Sequence, residues 1–305
     1  MRFTIYQESR QGGRGNNEDR TTYCYSRDAL LMVVADGMGG HHYGEIAAQI
    51  AVQTLAESFQ HEAKPLLADP FRFLQKGMTN AHHAILEYAS RHRLRDSPRT
   101  TCVACVVQEN VAYWAHAGDS RLLVLREGRV IAQTRDHSRI RLLVEEGLVT
   151  EAQAPFHPDR NKIYSCLGSP TPPEIEFSRK TPLSQGDVVL LCTDGFWGEI
   201  PGETLAVELK GANLLQAVPM LLNQAERKAG PRGDNLSVVA ARWEDNYAEE
   251  PRSIISTQTM SQQEVTTRLD EFGRNPAYKS DLNEDEIERA IEEIRAAIEK
   301  YTPKK

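Results

Sequence analysis

The strongest pattern in the chain is a run of five apolar residues, Leu30, Leu31, Met32, Val33 and Val34, that stops at Asp36, with glycine at three of the next four positions. An unbroken apolar run of this length suits a strand buried on both faces. A second run over residues 188–193 stops at Asp194 and Gly195. A third acidic turn, Gly233-Asp234-Asn235, leads straight into an apolar run over 236–240. Helical spacing appears over 44–61, where Ile46, Ala47, Ile50, Ala51, Thr54 and Leu55 recur. It appears again over 71–92, with Phe71, Leu74, Met78, Ala81, Ile85 and Tyr88.

The rest of the body reads mostly as strands. Residues 1–9 form a first strand, and 12–17 are a turn-rich loop closed by Glu18, Asp19 and Arg20. Four short strands at 101–107, 111–117, 121–125 and 130–134 are joined by brief turns, which predicts an antiparallel meander. The stretch 136–167 carries one helical pattern, 138–146, and no strand pattern, a length that fits a flap over a site. Strands are predicted again at 174–177, 188–192 and 236–243, with a helix over 214–228 between the last two.

After Trp243 the character changes. Residues 244–280 are rich in Glu, Ser, Thr and Gln without a sustained period and read as a mobile linker. Residues 281–305 read as an amphipathic helix with Ile287, Ala290, Ile291, Ile294, Ala297 and Ile298 along one side. That stripe must be covered by the chain's own body (1–243), by a partner or by a second copy.

Composition narrows the functional classes. A 305-residue chain that is 40% hydrophobic has ample material for a core. Its net charge of −7 is concentrated in the acidic tail, so the body is nearly neutral and no basic face marks a nucleic-acid partner. No apolar stretch approaches the ~18 residues of a spanning helix, and the N-terminus has no signal-like apolar core. A cytoplasmic protein with no membrane association is expected. The five cysteines follow no disulfide rhythm, and Cys102 and Cys105 should point to opposite faces of one strand.

An isolated Asp-Gly is ordinarily just a turn. Its recurrence at three strand ends is what points to chemistry, because glycine lets backbone carbonyls approach whatever the neighbouring carboxylate holds. Carboxylates on rigid strand ends, with room for carbonyls and water, suit Mg²⁺ or Mn²⁺ better than zinc.

These turns fall into an ordered set: Arg14-Gly15-Asn16-Asn17-Glu18-Asp19, Ala35-Asp36-Gly37-Met38-Gly39-Gly40-His41, Gly118-Asp119-Ser120-Arg121, Asp136-His137-Ser138, Cys192-Thr193-Asp194-Gly195 and Gly233-Asp234-Asn235. Over about residues 1–243 the chain resembles the bacterial metal-dependent protein phosphatases, the type 2C serine/threonine phosphatases of the PPM family. The resemblance implies an α+β fold, an αββα sandwich of two packed antiparallel sheets flanked by helices on both sides, here with a C-terminal extension. It implies two Mn²⁺ or Mg²⁺ ions, one on Asp36, Asp194 and Asp234, the other on Asp36, the Gly37 carbonyl and Glu18. Asp19 matches the carboxylate that orients a metal-bound water, and Arg14 the phosphate-binding arginine.

Three departures stand out. Many eukaryotic relatives carry a proton-donating His where this chain has Met38, so the donor is expected to be His41, His42 or a metal-bound water. The weaker third metal of the family uses Asp119 with an Asp that is here Gly198. The Arg-Ala-Leu-Gly that usually follows the flap is here Ser165-Cys166-Leu167-Gly168.

The expected activity is metal-dependent hydrolysis of phosphoserine and phosphothreonine in proteins by an activated water, opposing a serine/threonine kinase. No protein nucleophile is apparent, since neither a Cys-x5-Arg loop nor a Gly-x-Ser-x-Gly elbow occurs. The alternative is a non-catalytic scaffold whose phosphatase-like body binds phosphoprotein.

Overall fold

Alternation along the strands sets the layers. In a computed structural model that describes residues 1–38, 43–244, 254–257, 260 and 265–269, the order is β1 (Arg2–Arg10), β2 (Arg20–Tyr25), β3 (Ala29–Ala35), α1 (Gly44–Glu62), α2 (Pro70–Arg91), β4 (Cys102–Gln108), β5 (Val111–Ala117), β6 (Arg121–Arg126), β7 (Arg129–Gln133) and α3 (Arg139–Glu145). There follow β8 (Glu176–Phe177), β9 (Thr181–Pro182), β10 (Val188–Cys192), α4 (Asp194–Trp197), α5 (Gly202–Glu208), α6 (Leu214–Ala229), β11 (Leu236–Trp243), β12 (Ile254–Ser256) and β13 (Thr266–Leu269).

The strands make two antiparallel sheets, β12-β1-β11-β10-β6-β7 and β13-β2-β3-β4-β5-β8, with β9 also on β5. Leu31, Val33 and Ala35 of β3 pack with α1 and α2, while Leu30, Met32 and Val34 face the other sheet. On β11, Leu236, Val238 and Ala240 pack with α4, α5 and α6. Both faces of each sheet are thus buried, and the molecule is an α+β sandwich of four layers. Cys102 and Cys105 do fall on opposite faces of β4, one toward the helices and one between the sheets.

Local chemistry fixes the helix starts. Asp69 caps α2 by accepting from the Arg72 amide at 3.1 Å, with Pro70 in the first turn where its missing N–H costs nothing. Ser138 caps α3 in the same way, and Asn213 caps α6.

Besides the short elements β9, α4 and α5, which it did not foresee, the sequence reading differs from the structure in three places. Strand β2 was not expected, because its buried Thr21 and Thr22 interrupt the apolar signal. The four strands from 101 to 134 are not one meander. They form two hairpins, β4–β5 in one sheet and β6–β7 in the other, and the chain crosses between sheets at Gly118. Gly118 has φ 113, and a Cβ there would lie 2.6 Å from Thr101 Cβ. A short turn serves a corner between sheets as well as a hairpin, so turn length alone misassigned it.

Third, the stretch read as linker contributes β12 to the edge of one sheet beside β1, and β13 to the edge of the other beside β2. An open edge offers unpaired N–H and C=O groups that a short segment can satisfy without a hydrophobic period. Buried Thr257 fastens the first of these: its hydroxyl donates to the Arg27 carbonyl at 2.5 Å and accepts from the Met1 amino group at 3.2 Å. The expected helix over 281–305 and the candidate His41 lie outside the described residues, as does His42. Among the described residues no helix is long and apolar enough to cross a membrane.

Candidate active site

Register brings the acidic turns to one end of the sandwich. Arg10 pairs with Leu236, Cys192 with Val238, Arg20 with Ala35 and Cys102 with Ala117. The loops that carry Arg14, Glu18, Asp19, Asp36, Asp119, Asp194 and Asp234 therefore leave or enter strands at the same end, from both sheets.

Each acid is held by its backbone. The Asp36 amide donates to Thr101 Oγ1 at 3.1 Å, and its carbonyl accepts from the Thr100 hydroxyl at 2.8 Å and the Thr101 amide at 2.9 Å. Thr101 Oγ1 in turn lies 2.7 Å from Ser120 Oγ, which ties the Asp36 turn to the Asp119 corner. Asn235 joins two further loops. Its amide donates to the Gln11 and Asn16 carbonyls at 2.8 and 2.9 Å, and its Oδ1 accepts from the Glu18 amide at 2.9 Å. Trp197 Nε1 donates to the Asp119 carbonyl at 2.9 Å, while the Arg121 guanidinium lies 3.4 Å from the centre of the Trp197 ring and forks Asp136 at 2.8 and 2.7 Å.

Gly37 stands where nothing larger fits. A Cβ there would lie 2.4 Å from the Gly44 carbonyl oxygen and 2.7 Å from that of Glu18. A Cβ on Gly44 would in turn meet Glu18 Oε2 at 2.7 Å. The pair of glycines makes a cradle into which the Glu18 carboxylate reaches.

The electrostatics show how closely the acids converge. Burial, reinforced by repulsion from Asp19, Asp194, Asp119 and Asp234, raises the Asp36 carboxyl well above the usual range. Burial and then Asp194 and Asp136 do the same to Asp119. Asp19 is pushed up to about 7 by burial, with Asp194 and Asp234 adding to it. Glu18 is pushed up to about 7 by burial and by Glu45. Asp194 rises to about 6 through burial and Asp234, partly relieved by a hydrogen bond with Asp36. Without a cation this end of the protein holds carboxyls that favour keeping their protons.

Two buried carboxylate oxygens here are without partners. Asp19 Oδ2 accepts from Thr193 Oγ1 at 2.9 Å, but Oδ1 of Asp19 and Oδ1 of Asp119 have no hydrogen-bond partner. Buried carboxylate oxygens without partners, in a set of oxygen donors alone, fit a hard divalent cation. Gly198 brings no second carboxylate beside Asp119. Arg14 is in the site, though not free: it forks both oxygens of Asp234, Nε to Oδ1 at 2.8 Å and Nη2 to Oδ2 at 2.5 Å.

The sequence reading named these acids but gave no role to Thr193, Asn235 or Thr101, the residues that aim them. Asn235 and Thr193 adjoin the acidic turns, and their position was the available signal. Thr101, distant in sequence, carried none.

Comparison with known proteins gives the family. Residues 7–218 match the family model described as Protein phosphatase 2C. "Serine/threonine phosphatase stp" of Listeria innocua is 28% identical over 229 residues, covering 74% of this chain and 90% of that protein. "Serine/threonine protein phosphatase PstP" of Mycobacterium tuberculosis is 32% identical over 75% of this chain, which spans only 42% of that relative's length. Among solved structures, the catalytic domain of PstP in complex with two manganese ions aligns with a TM-score of 0.67 and 30% identity, covering 80% of this chain and 99% of that one.

Proposed function

Because the chain belongs to the protein phosphatase 2C family and is a protein serine/threonine phosphatase, we propose that it hydrolyses phosphoserine and phosphothreonine at a dinuclear Mn²⁺ or Mg²⁺ centre, opposing a serine/threonine kinase. Asp36, Asp194 and Asp234 would hold one ion, and Asp36, Glu18 and the Gly37 carbonyl the other. Bound there, the pair supplies charge neutralisation for the phosphate and acidifies water for in-line attack. The observation that carries this reading is the convergence of acids from both sheets, two of them, Asp19 and Asp119, buried with an unpartnered oxygen.

The chain's own groups have separable tasks. Thr193 pins Asp19 Oδ2, which leaves Oδ1 to accept a hydrogen bond from the attacking water and so to orient it. A cation on Asp234 would compete with the Arg14 fork for the same two oxygens. Weakened in that way, the fork would leave the planar Arg14 guanidinium able to match two phosphate oxygens. His41 is the proposed donor to the leaving alkoxide. Asp119 is proposed as the anchor of a weaker third ion, and Gly198 is the reason for its weakness. The catalytic domain is proposed as 1–243, followed by the 244–280 segment and a helix at 281–305 that docks on this body or on a partner.

The test is phosphate release from a phosphothreonine peptide with Mn²⁺, with EDTA, and with Asp194→Asn. Release that requires metal and vanishes in the variant is the expected result. Absence of release from folded, metal-loaded protein would sink the proposal.

A further inference from the structure

Beside the acidic end, one residue in from the Ala117 that pairs with Cys102, His116 joins His137 and Glu176 in a second cluster of metal-ligand type. One ligand atom from each lies within 4.8 Å of the other two. His116 and Glu176 are directly opposed on β5 and β8, so their side chains leave the sheet on one face. That is the inter-sheet face, shared with Ala112 and Trp114 of β5. His137 arrives from the other sheet, just beyond β7, with its ring 4.5 Å from that of His116 and its Nε2 3.5 Å from Glu176 Oε2. Both imidazoles are buried, at 2% and 0% exposure.

The hydrogen bonds leave ligand atoms idle. His116 Nε2 lies 2.6 Å from the Arg135 carbonyl, which only accepts, so the proton is on Nε2 and the lone pair on Nδ1. That Nδ1 has no partner, and His137 Nε2 has only Glu176 Oε2, at a long 3.5 Å. Buried ring nitrogens are rarely left this way. Burial also lowers the pKa of both rings, favouring the neutral form that ligates.

We propose that His116 Nδ1, His137 Nε2 and a Glu176 oxygen bind a zinc-type transition-metal dication, a site distinct from the oxygen-only centre. Two imidazoles and one carboxylate, with a fourth position open to water, match zinc and not magnesium. Loading needs the His137 proton on Nδ1; this gives up the long 3.4 Å contact from the Gly118 amide and the 3.5 Å contact of Nε2 with Glu176, and turns Nδ1–H toward the Gly118 N–H, a cost that the metal bonds must exceed. Glu176, on the half-exposed side, provides the entrance. The ion joins the two sheets and the base of the flap. His137 immediately precedes the flap helix α3, and its carbonyl accepts from the Tyr164 amide at 2.9 Å, where the flap returns.

The experiment uses the full chain in millimolar Mg²⁺, which keeps the carboxylate centre on its hard ion. Zn²⁺ uptake is followed by calorimetry and Co²⁺ uptake by visible absorption. The wild type should take up one Zn²⁺ and give the intense Co²⁺ bands of a low-coordinate site. Changes beside a metal site alone cost about 10- to 100-fold in affinity, so removing a ligand in Glu176→Gln or His116→Gln should cost more. Asp194→Asn should bind as the wild type does. Glu176→Gln, at a half-exposed position, keeps the test decisive if His116→Gln does not fold. The proposal is overturned if the wild type takes up no Zn²⁺, if Glu176→Gln binds it unchanged, or if the uptake depends on Asp194.

Discussion

Replacing Asp19 by asparagine should stabilise the metal-free protein while crippling the enzyme. Asp19 is 2% exposed, and one of its oxygens has no partner. Burial, with repulsion from Asp194 and Asp234, moves its carboxyl from 3.8 to about 7. A shift of that size corresponds to roughly 4 kcal/mol against the charged form. The folded chain keeps this proton up to about pH 7, whereas the unfolded chain releases it near 3.8. Folded protein therefore binds more protons through that window, and stability falls as pH rises across it. Asparagine has no such proton to lose. In EDTA, urea unfolding should show wild type and Asp19→Asn alike, to within the amide's own contacts, below about pH 4. The variant should then pull ahead until about pH 7 and hold a lead of as much as ~4 kcal/mol above it. Mn²⁺ should erase the lead by stabilising the wild type more, and phosphate release should fall in the variant. A gap that stays flat with pH, or a variant less stable than wild type above pH 7 in EDTA, would refute the reasoning.

Three further outcomes follow from particular contacts. Gly118→Ala places a Cβ 2.6 Å from Thr101 at φ 113 and should cost about 3 kcal/mol or more, read as a lower melting temperature. An unchanged melt would mean the corner between sheets can relax. Arg121→Lys loses the fork on Asp136 and the stacking on Trp197, for about 1–2 kcal/mol in urea unfolding. Unaltered stability would show that a point charge suffices there. Asn235→Ala removes three hydrogen bonds that hold Glu18 and the Arg14 loop, worth about 2–3 kcal/mol together. It should weaken Mn²⁺ binding measured by calorimetry, and unchanged affinity would separate this residue from the metal centre.

The parts of the fold that were legible are those where one physical signal dominates. Strands β3, β10 and β11 are buried on both faces and read as apolar runs. Helix α2 shows its period because one side of it is buried, whereas α1, buried without a break from Ile46 to Ala56, was legible from its apolar content at helical spacing. The acids were legible because each interrupts such a run next to glycine. What escaped depends on relations between distant residues. Strand β2 hides its burial behind threonines that pair within the sheet. The crossing at Gly118 depends on Thr101 and Ser120, which no local pattern connects. Strands β12 and β13 follow from the open edges they cover and not from their own composition. His116 and His137 carry no spacing signal, since β5 and β7 belong to different sheets.

The crossing at Gly118 explains why the site can exist at all. Had β4 to β7 stayed in one sheet, Asp119 would lie within that sheet's own loops. Passing to the opposite sheet there carries the chain past the Asp36 turn, which Thr101 and Ser120 hold against it. Sheets packed ~10 Å apart leave a gap that carboxylates from the two sides can span only if both sets of strand ends are aligned. The register supplies that alignment, with Arg20 opposite Ala35 on one sheet and Cys192 opposite Val238 on the other. The same arrangement buries Asp36, Asp119 and Asp194 and sets the acids repelling one another, and burial first, then repulsion, raises their carboxyls. A fold that concentrates negative charge in this way gains from any hard cation that enters. Affinity for the metal and instability without it are two readings of one geometry.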